Sequence, residues 1–257
     1  MELSLPSAGL DRYKSASQRA RVGTESWGAE NFFCPSCDSP RLNTVPQGTA
    51  AIDYVCPVCD SPFQLKSQSK ALGSRIVDAA YSEMRRAILE DRTPNLYVLH
   101  YDLLAWAVRT LILIPRFAFA LSAIERRKPL AATARRAGWV GCNIVLDRIP
   151  SSARISIVRE GRAETRAAVR EAYRRLRPLE TLGVEKRGWT LDVLQVVQSL
   201  NKREFELADV YAHAGALARL HPDNRHVHDK IRQQLQVLRD LGGLEFRGGG
   251  RYTLVET

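Results

Sequence analysis

Apolar positions follow two periods along this chain. LYVLHY and RTLILIP, which follow the turn DRTPN, are short apolar runs bounded by turn residues, and they predict two core strands. SARISIV at 152–158 predicts another, and AAIDYVC and FQLKS predict two shorter ones. Helical spacing takes over elsewhere. Tyr13, Ala16, Ala20 and Trp27 fall near one stripe and predict a helix over 11–29, with Arg12, Lys14, Arg19 and Arg21 on its remaining surface. Ile76, Ala80, Met84, Ala87 and Ile88 predict an amphipathic helix over 72–90. A further helix over 164–177 is rich in arginine, and its bases are either phosphate clamps or a solvated face. Helices of this kind packed on the strands give a mixed α/β core.

The last quarter of the chain has a different pattern. TLDVLQVVQSL, with Thr190 as N-cap, predicts a first helix, and FELADVYAHAGALARLH a second. A third places Val227, Ile231, Leu235, Leu238 and Leu241 inward, and LEF and RYTL pair across GGG as a hairpin. Three helices and a hairpin make a winged-helix pattern, so the chain divides into 1–183 and 184–257. His228, Lys230, Arg232, Gln233, Gln234 and Arg239 fall on the polar side of the third helix, where Gln and Arg suit base edges in a major groove. His226 and His228 are two residues apart and make a poor helical metal pair.

Charge sharpens this division. The 257 residues carry a net charge of +10, which favours a polyanionic partner. Residues 1–183 hold 27 Lys and Arg against 18 acids, whereas 184–257 hold 11 against 10. The front part therefore supplies most of the field, and the near-neutral winged helix leaves a protein-docking role open. The sequence shows no signal-peptide pattern and no apolar run long enough for a membrane span, and its cysteines suit a reducing cytoplasm.

Four of the five cysteines, Cys34, Cys37, Cys56 and Cys59, form the pattern C-x2-C-x18-C-x2-C. Two paired thiolate turns make the closed tetrahedral set of structural zinc, while a redox role would need only one pair. With no vacant ligand position, such a metal holds loops and cleaves nothing. Cys142 reads as a buried free thiol. Around the second pair, Asp53 and then Gln64-x-Lys66 match the layout of metal-dependent nucleases. Alternation puts Gln64 and Lys66 on one strand face; Asp53 and the Gln64 carbonyl suit Mg²⁺, and Lys66 suits a water-orienting, charge-stabilising role. Asp and Lys are also common surface residues, so spacing alone leaves both readings standing. Glu25 is either a solvated acid or a metal-reaching group on a flanking helix. Residues 116–139 hold six Lys or Arg and one acid. There, Arg135, Arg136 and Trp139 read either as DNA contacts or as a charged loop anchored by its Trp.

RKPLAATARRAGWVGCNI and KIRQQLQVLRDLGGLEFRGGGRY, with YKSASQRAR, the paired cysteines and FQLKS, give the whole chain a specific resemblance. It resembles the methyl-directed type II restriction endonucleases that cleave GATC when its adenine is methylated. The resemblance implies a PD-(D/E)xK nuclease domain with an inserted zinc site, followed by a winged helix, both contacting methylated double-stranded DNA. It places Asp53, Gln64 and Lys66 at the catalytic positions, with Mg²⁺ held by Asp53 and Gln64 and Mn²⁺ able to substitute. Cys34, Cys37, Cys56 and Cys59 take the zinc positions. Trp139 falls among the residues that meet methylated adenine, and Arg232, Gln233 and Gln234 near a second readout. Two positions depart from the family pattern: Ile52 stands where proline is common, and Gln64 where an acid is expected. The implied setting is the cytoplasm of a prokaryotic cell. A single active-site set implies a monomer that nicks each strand in turn or pairs transiently on DNA. The rival readings are a non-cleaving zinc and winged-helix regulator, and an adaptor that docks acidic proteins.

Overall fold

The computed structural model describes residues 1–46, 49 and 51–255. Along the chain come α1 (Ala16–Asn31), β1 (Asn43–Thr44), β2 (Tyr54–Val55), β3 (Pro62–Gln68), β4 (Arg75–Ala80), α2 (Tyr81–Leu89), β5 (Asn95–Asp102) and β6 (Ala107–Ile114). Then follow β7 (Ile124–Arg126), β8 (Gly141–Val145), β9 (Ile155–Arg159), β10 (Arg162–Ala163), α3 (Arg166–Leu176) and α4 (Val184–Ser199). The chain closes with β11 (Glu204–Glu206), α5 (Leu207–Tyr211), α6 (Ala214–Leu220), α7 (Val227–Asp240), β12 (Leu244–Gly248) and β13 (Arg251–Leu254). Contacts gather these into two units. One comprises Met1–Ile76, Thr93–Arg116 and Ala153–Arg174; the other comprises Val77–Arg92, Phe117–Ser152 and Arg175–Thr257.

The first unit is built on a sheet in the order β1-β2-β3-β5-β6-β9-β10. β3 and β5 run parallel, from Phe63 opposite Asn95 to Gln68 opposite His100, and the neighbouring pairs run antiparallel. β5 and β6 are the two apolar runs that the sequence predicts as core strands. A strand buried on both faces has no need of alternation, and Leu96–Leu99 are all buried. Behind β3 lies an aromatic cluster. Phe32 stacks on Tyr97 with centroids 4.0 Å apart, and Trp27 and Tyr54 meet Phe32 edge-on. Buried Asn95 is fully used: its Oδ1 accepts from the Arg116 backbone N–H at 3.0 Å and from the Tyr173 hydroxyl at 3.1 Å.

The first helix differs from expectation in its buried side. Tyr13 lies before α1, and the inward residues are Gly23, Thr24, Trp27, Gly28 and Asn31. Small residues let the helix approach the sheet closely. A Cβ on Gly28 would lie 2.5 Å from the Tyr54 hydroxyl and 2.6 Å from the Phe32 ring. At that distance the Tyr54 hydroxyl donates to the Glu25 carbonyl at 2.8 Å, and the Thr24 and Ser67 hydroxyls bond at 3.0 Å. Burial pushes the Tyr54 hydroxyl pKa well up, which keeps it a donor.

β4, which enters the second unit at Val77, forms a small sheet with β8 and β7, and β11, β13 and β12 form another. The expected helix over 72–90 is a correction: Arg75–Ala80 is strand β4, and the helix starts only at Tyr81. Ile76 and Asp78 alternate inward with Arg75, Val77 and Ala79 outward, so the two-residue period of a β-branched segment wins over the coincident four-residue spacing. Thr190 is likewise not an N-cap. It lies inside α4, buried, with its hydroxyl bonding the Lys186 carbonyl at 2.8 Å and Gln234 Oε1 at 2.7 Å. The polar-looking start of α4 hides because Arg187 is buried and paired with Asp91. The expected second helix is divided into β11, α5 and α6.

α4, α5, α6 and α7 enclose Trp189, Val193, Val197, Val210, Leu217, Ile231, Leu235 and Leu238. The three-stranded β11-β13-β12 sheet completes a winged helix, and its turn at Gly248, Gly249 and Gly250 has φ of 84°, 58° and 77°, which glycine adopts without strain. Among the described residues no helix is long and apolar enough to cross a membrane.

Candidate active site and metal centre

The metal centre joins two turns. Cys34 and Cys37 follow α1, and Cys56 and Cys59 form the turn between β2 and β3. Their four sulfurs lie within 4.8 Å of one another, with Cys34 to Cys59 at 3.6 Å and Cys37 to Cys56 at 3.5 Å. Four converging thiols, with Cys34 and Cys56 buried, are positioned to hold a metal ion, and the donor set suits structural zinc. Burial pushes the Cys34 thiol pKa up. Burial acts in the same direction on Cys56, but the backbone N–H groups of Cys59 and Val58 and the neighbouring thiols outweigh it and hold Cys56 at about 7. A cation at the centre favours all four as thiolates.

The first turn has a support that sequence reading missed. Arg170 of α3 donates from Nε to the Cys34 carbonyl at 3.1 Å and from Nη2 to the Ser39 carbonyl at 3.0 Å. Its guanidinium and that of Arg166 also lie over the Phe33 ring, at 5.6 and 5.2 Å. On this side, then, the arginine-rich helix braces the metal loop. Only the contact reveals this, because a bracing arginine and a solvated one look alike in sequence.

The second turn fixes the strands that carry the nuclease-like residues. β2 and β3 pair antiparallel, with Tyr54 opposite Phe63 and Val55 opposite Pro62. Asp53 stands just before β2. Its backbone N–H donates to the Phe63 carbonyl at 2.9 Å, and its Oδ2 accepts from the Leu65 N–H at 2.7 Å. Leu65 is the residue between Gln64 and Lys66, so the Asp53 carboxylate is pinned to the backbone at the middle of the Gln64-x-Lys66 element. All three side chains are half-buried. Asp53 also lines a cavity of about 390 Å³ with Arg21 and Glu25 of α1. There Arg21 Nε donates to Glu25 Oε1 at 2.8 Å. Glu25 is thus neither a lone surface acid nor remote: it shares a cavity with Asp53 and is engaged with a cation. His100 is half-buried in β5, and Cys142 is buried in β8.

In the other unit, residues 130–139 close into a loop. The Leu130 N–H donates to the Trp139 carbonyl at 2.9 Å, and the Gly138 N–H to the Leu130 carbonyl at 3.1 Å. Arg135 and Arg136 are exposed, and Trp139 is half-buried with the Arg136 guanidinium 4.7 Å from its ring. Gly141 makes room for that indole, since a Cβ there would lie 2.9 Å from Trp139. On α7, His228, Arg232, Gln233 and Arg239 are exposed, and Lys230 is half-buried with its ammonium 6.0 Å from the Trp189 ring. Gln234 is a correction to the expected polar face: it is fully buried, and its carbonyl oxygen receives the Thr190 hydroxyl. Helical periodicity puts Gln234 at the border of that face, and a buried hydroxyl partner decides the side.

Comparison with known families accounts for both parts of the chain. Residues 1–182 match the family described as Dam-replacing, and residues 185–254 match the Dam-replacing HTH domain. Together these cover nearly the full length and agree with a mixed α/β part bearing a four-cysteine cluster, followed by a winged helix. The chain belongs to the Dam-replacing (DpnI) family, whose members are methyl-directed restriction endonucleases that couple a nuclease domain to a winged-helix DNA-binding domain.

Proposed function

We propose that this endonuclease hydrolyses double-stranded DNA at GATC or a close variant when its adenine is methylated, using Asp53, Gln64 and Lys66. One observation carries the site: the Asp53 carboxylate accepts the Leu65 N–H between Gln64 and Lys66. The side-chain oxygens of Asp53 and Gln64 are hard donors that fit Mg²⁺, with Mn²⁺ as a substitute, and Glu25 adds a carboxylate to the cavity that Asp53 lines. When bound, such a cation neutralises charge on the reacting phosphate and activates water. Asp53 and Gln64 would hold it. Lys66 orients the attacking water and sets its ammonium near the non-bridging oxygens as their charge grows. The water oxygen bonds to phosphorus and loses a proton to solvent, the bond from phosphorus to the 3′ oxygen breaks, and that oxygen takes up a proton, leaving a 5′-phosphate and a 3′-hydroxyl.

The nuclease part, 1–183, and the winged helix, 184–257, each read the methylated duplex in this account. Arg135 and Arg136 contact phosphates or base edges, and Trp139 offers an aromatic face to a methyl group. Lys230, Arg232 and Gln233 serve the winged helix. One methyl contact is worth about 1–3 kcal/mol, so two readings multiply selectivity. The protein acts as a monomer that pairs, at most, transiently on DNA, in a prokaryotic cytoplasm. Digestion of matched plasmids with and without adenine methylation tests this reading.

Gln64 sets the strength of the metal requirement. A neutral amide in place of a carboxylate removes one charge from the cation's ligands. Gln64→Glu should therefore cut at lower Mg²⁺ concentration than the native chain and narrow the advantage of Mn²⁺. Titration of cleavage with each ion checks this; an equal or tighter Mg²⁺ dependence in the native chain would contradict it.

A further inference from the structure

A second cavity opens where β3 ends, beside the strand that bears Lys66. It measures about 720 Å³ and is lined by Ser17 and Arg21 of α1, Ser67 and Gln68 of β3, and Lys70 and Arg75 beyond it. Among the described residues that line it there is no carboxylate. Lys70 and Arg75 are exposed, and the turn carrying Lys70 is pinned because Gln68 Nε2 donates to the Lys70 and Ala71 carbonyls at 2.8 and 3.1 Å. Ser17 sits in the first turn of α1, which contains no acid, so the amino end of a 16-residue helix adds its partial positive charge. Arg21 lines both cavities. Its Nε is engaged by Glu25, which fixes the guanidinium at the junction between them.

We infer that this groove is a DNA-backbone track, in which Arg21, Lys70 and Arg75 hold phosphates flanking the scissile one without reading sequence. Arg21, Lys70 and Arg75 together with serine hydroxyls and a helix amino end, and with no carboxylate among the lining residues, make a cationic lining, and a phosphodiester offers only acceptors. Ser67 and Gln68 in its lining are the residues that follow Lys66 along β3, which brings the groove next to the strand position that carries Lys66. The inference rests on reading β3 as the cutting strand.

The test measures binding of the full-length protein to a labelled duplex containing GATC, methylated or not, over a range of salt without added divalent cation. Lys70→Ala and Arg75→Ala should each weaken both duplexes equally, by about eightfold at about 0.1 M salt. Each should lower the slope of log affinity against log salt by about 0.9, as expected for one lost phosphate contact on B-form DNA. An unchanged slope, or a loss confined to the methylated duplex, would overturn the inference. Lys66→Ala run alongside separates the two readings: if it still cuts, the catalytic assignment fails, while the salt slopes still judge the groove.

Discussion

Lys66→Ala should lower cleavage of methylated DNA by about a hundredfold to ten-thousandfold while leaving binding of the same DNA intact. The size follows from two roles lost at once: orientation of the water and stabilisation of charge growing on the phosphate. Lys66 is held for that purpose by its strand. β3 pairs with β5 residue by residue, with Lys66 opposite Val98, which is fully buried. The strand therefore does not move when one side chain is shortened, and the winged helix keeps its own binding elements. Single-turnover cleavage and equilibrium binding on one duplex separate the outcomes. Retained cutting would exclude the catalytic role, and joint loss of binding and cutting with an unfolded circular dichroism spectrum would mean that Lys66 is needed for the fold. Loss of cutting alone excludes the non-cleaving regulator.

Cys56→Ser should cost the protein its bound metal, lower its melting temperature and abolish cutting, although Cys56 touches no reacting group in this account. Cys56 is fully buried at the turn between β2 and β3. Its N–H donates to the Ser61 carbonyl at 3.0 Å, and its carbonyl accepts from the Asp60 N–H at 3.1 Å, so the turn depends on its position. Structural zinc sites supply about 10 kcal/mol or more of apparent binding free energy that counts as folding free energy. Losing one sulfur frees the hairpin that aligns Asp53 with β3. Metal content, thermal unfolding and cleavage measured on one preparation check the prediction. Full cutting by metal-free protein would show that the hairpin holds its register without the four-cysteine centre, and recovery on adding Mg²⁺ alone would show the same.

Much of this was legible in the sequence, for identifiable reasons. The cysteine spacing is a local signature of a closed thiolate site, and the four sulfurs converge as that spacing requires. β5 and β6 are uninterrupted apolar runs, and the α7 heptad-like pattern buries Ile231, Leu235 and Leu238. Reading failed where two periods coincide or where polar residues are buried. Arg75–Ala80 satisfies both helix and strand spacing, and its pairing within a sheet decides. Thr190, Arg187 and Gln234 look exposed by type, and each is buried because it has found a partner elsewhere in the chain. The place of Arg170 under the metal loop, and the meeting of Arg21, Lys70 and Arg75 around one groove, depend on contacts between distant segments. Glu25 stood between two readings in the sequence, and its cavity with Asp53 emerges only when α1 is laid against β2.

Methyl dependence is tested by digesting one plasmid in two methylation states. A plasmid prepared with adenine methylation at GATC and the same plasmid prepared without it are incubated with the native protein and Mg²⁺. The methylated plasmid should be cut to fragments that end at GATC sites, and the unmethylated plasmid should stay intact at the same enzyme concentration. Equal cutting of both, or cutting of the unmethylated plasmid alone, would show that cleavage does not depend on the adenine methyl group.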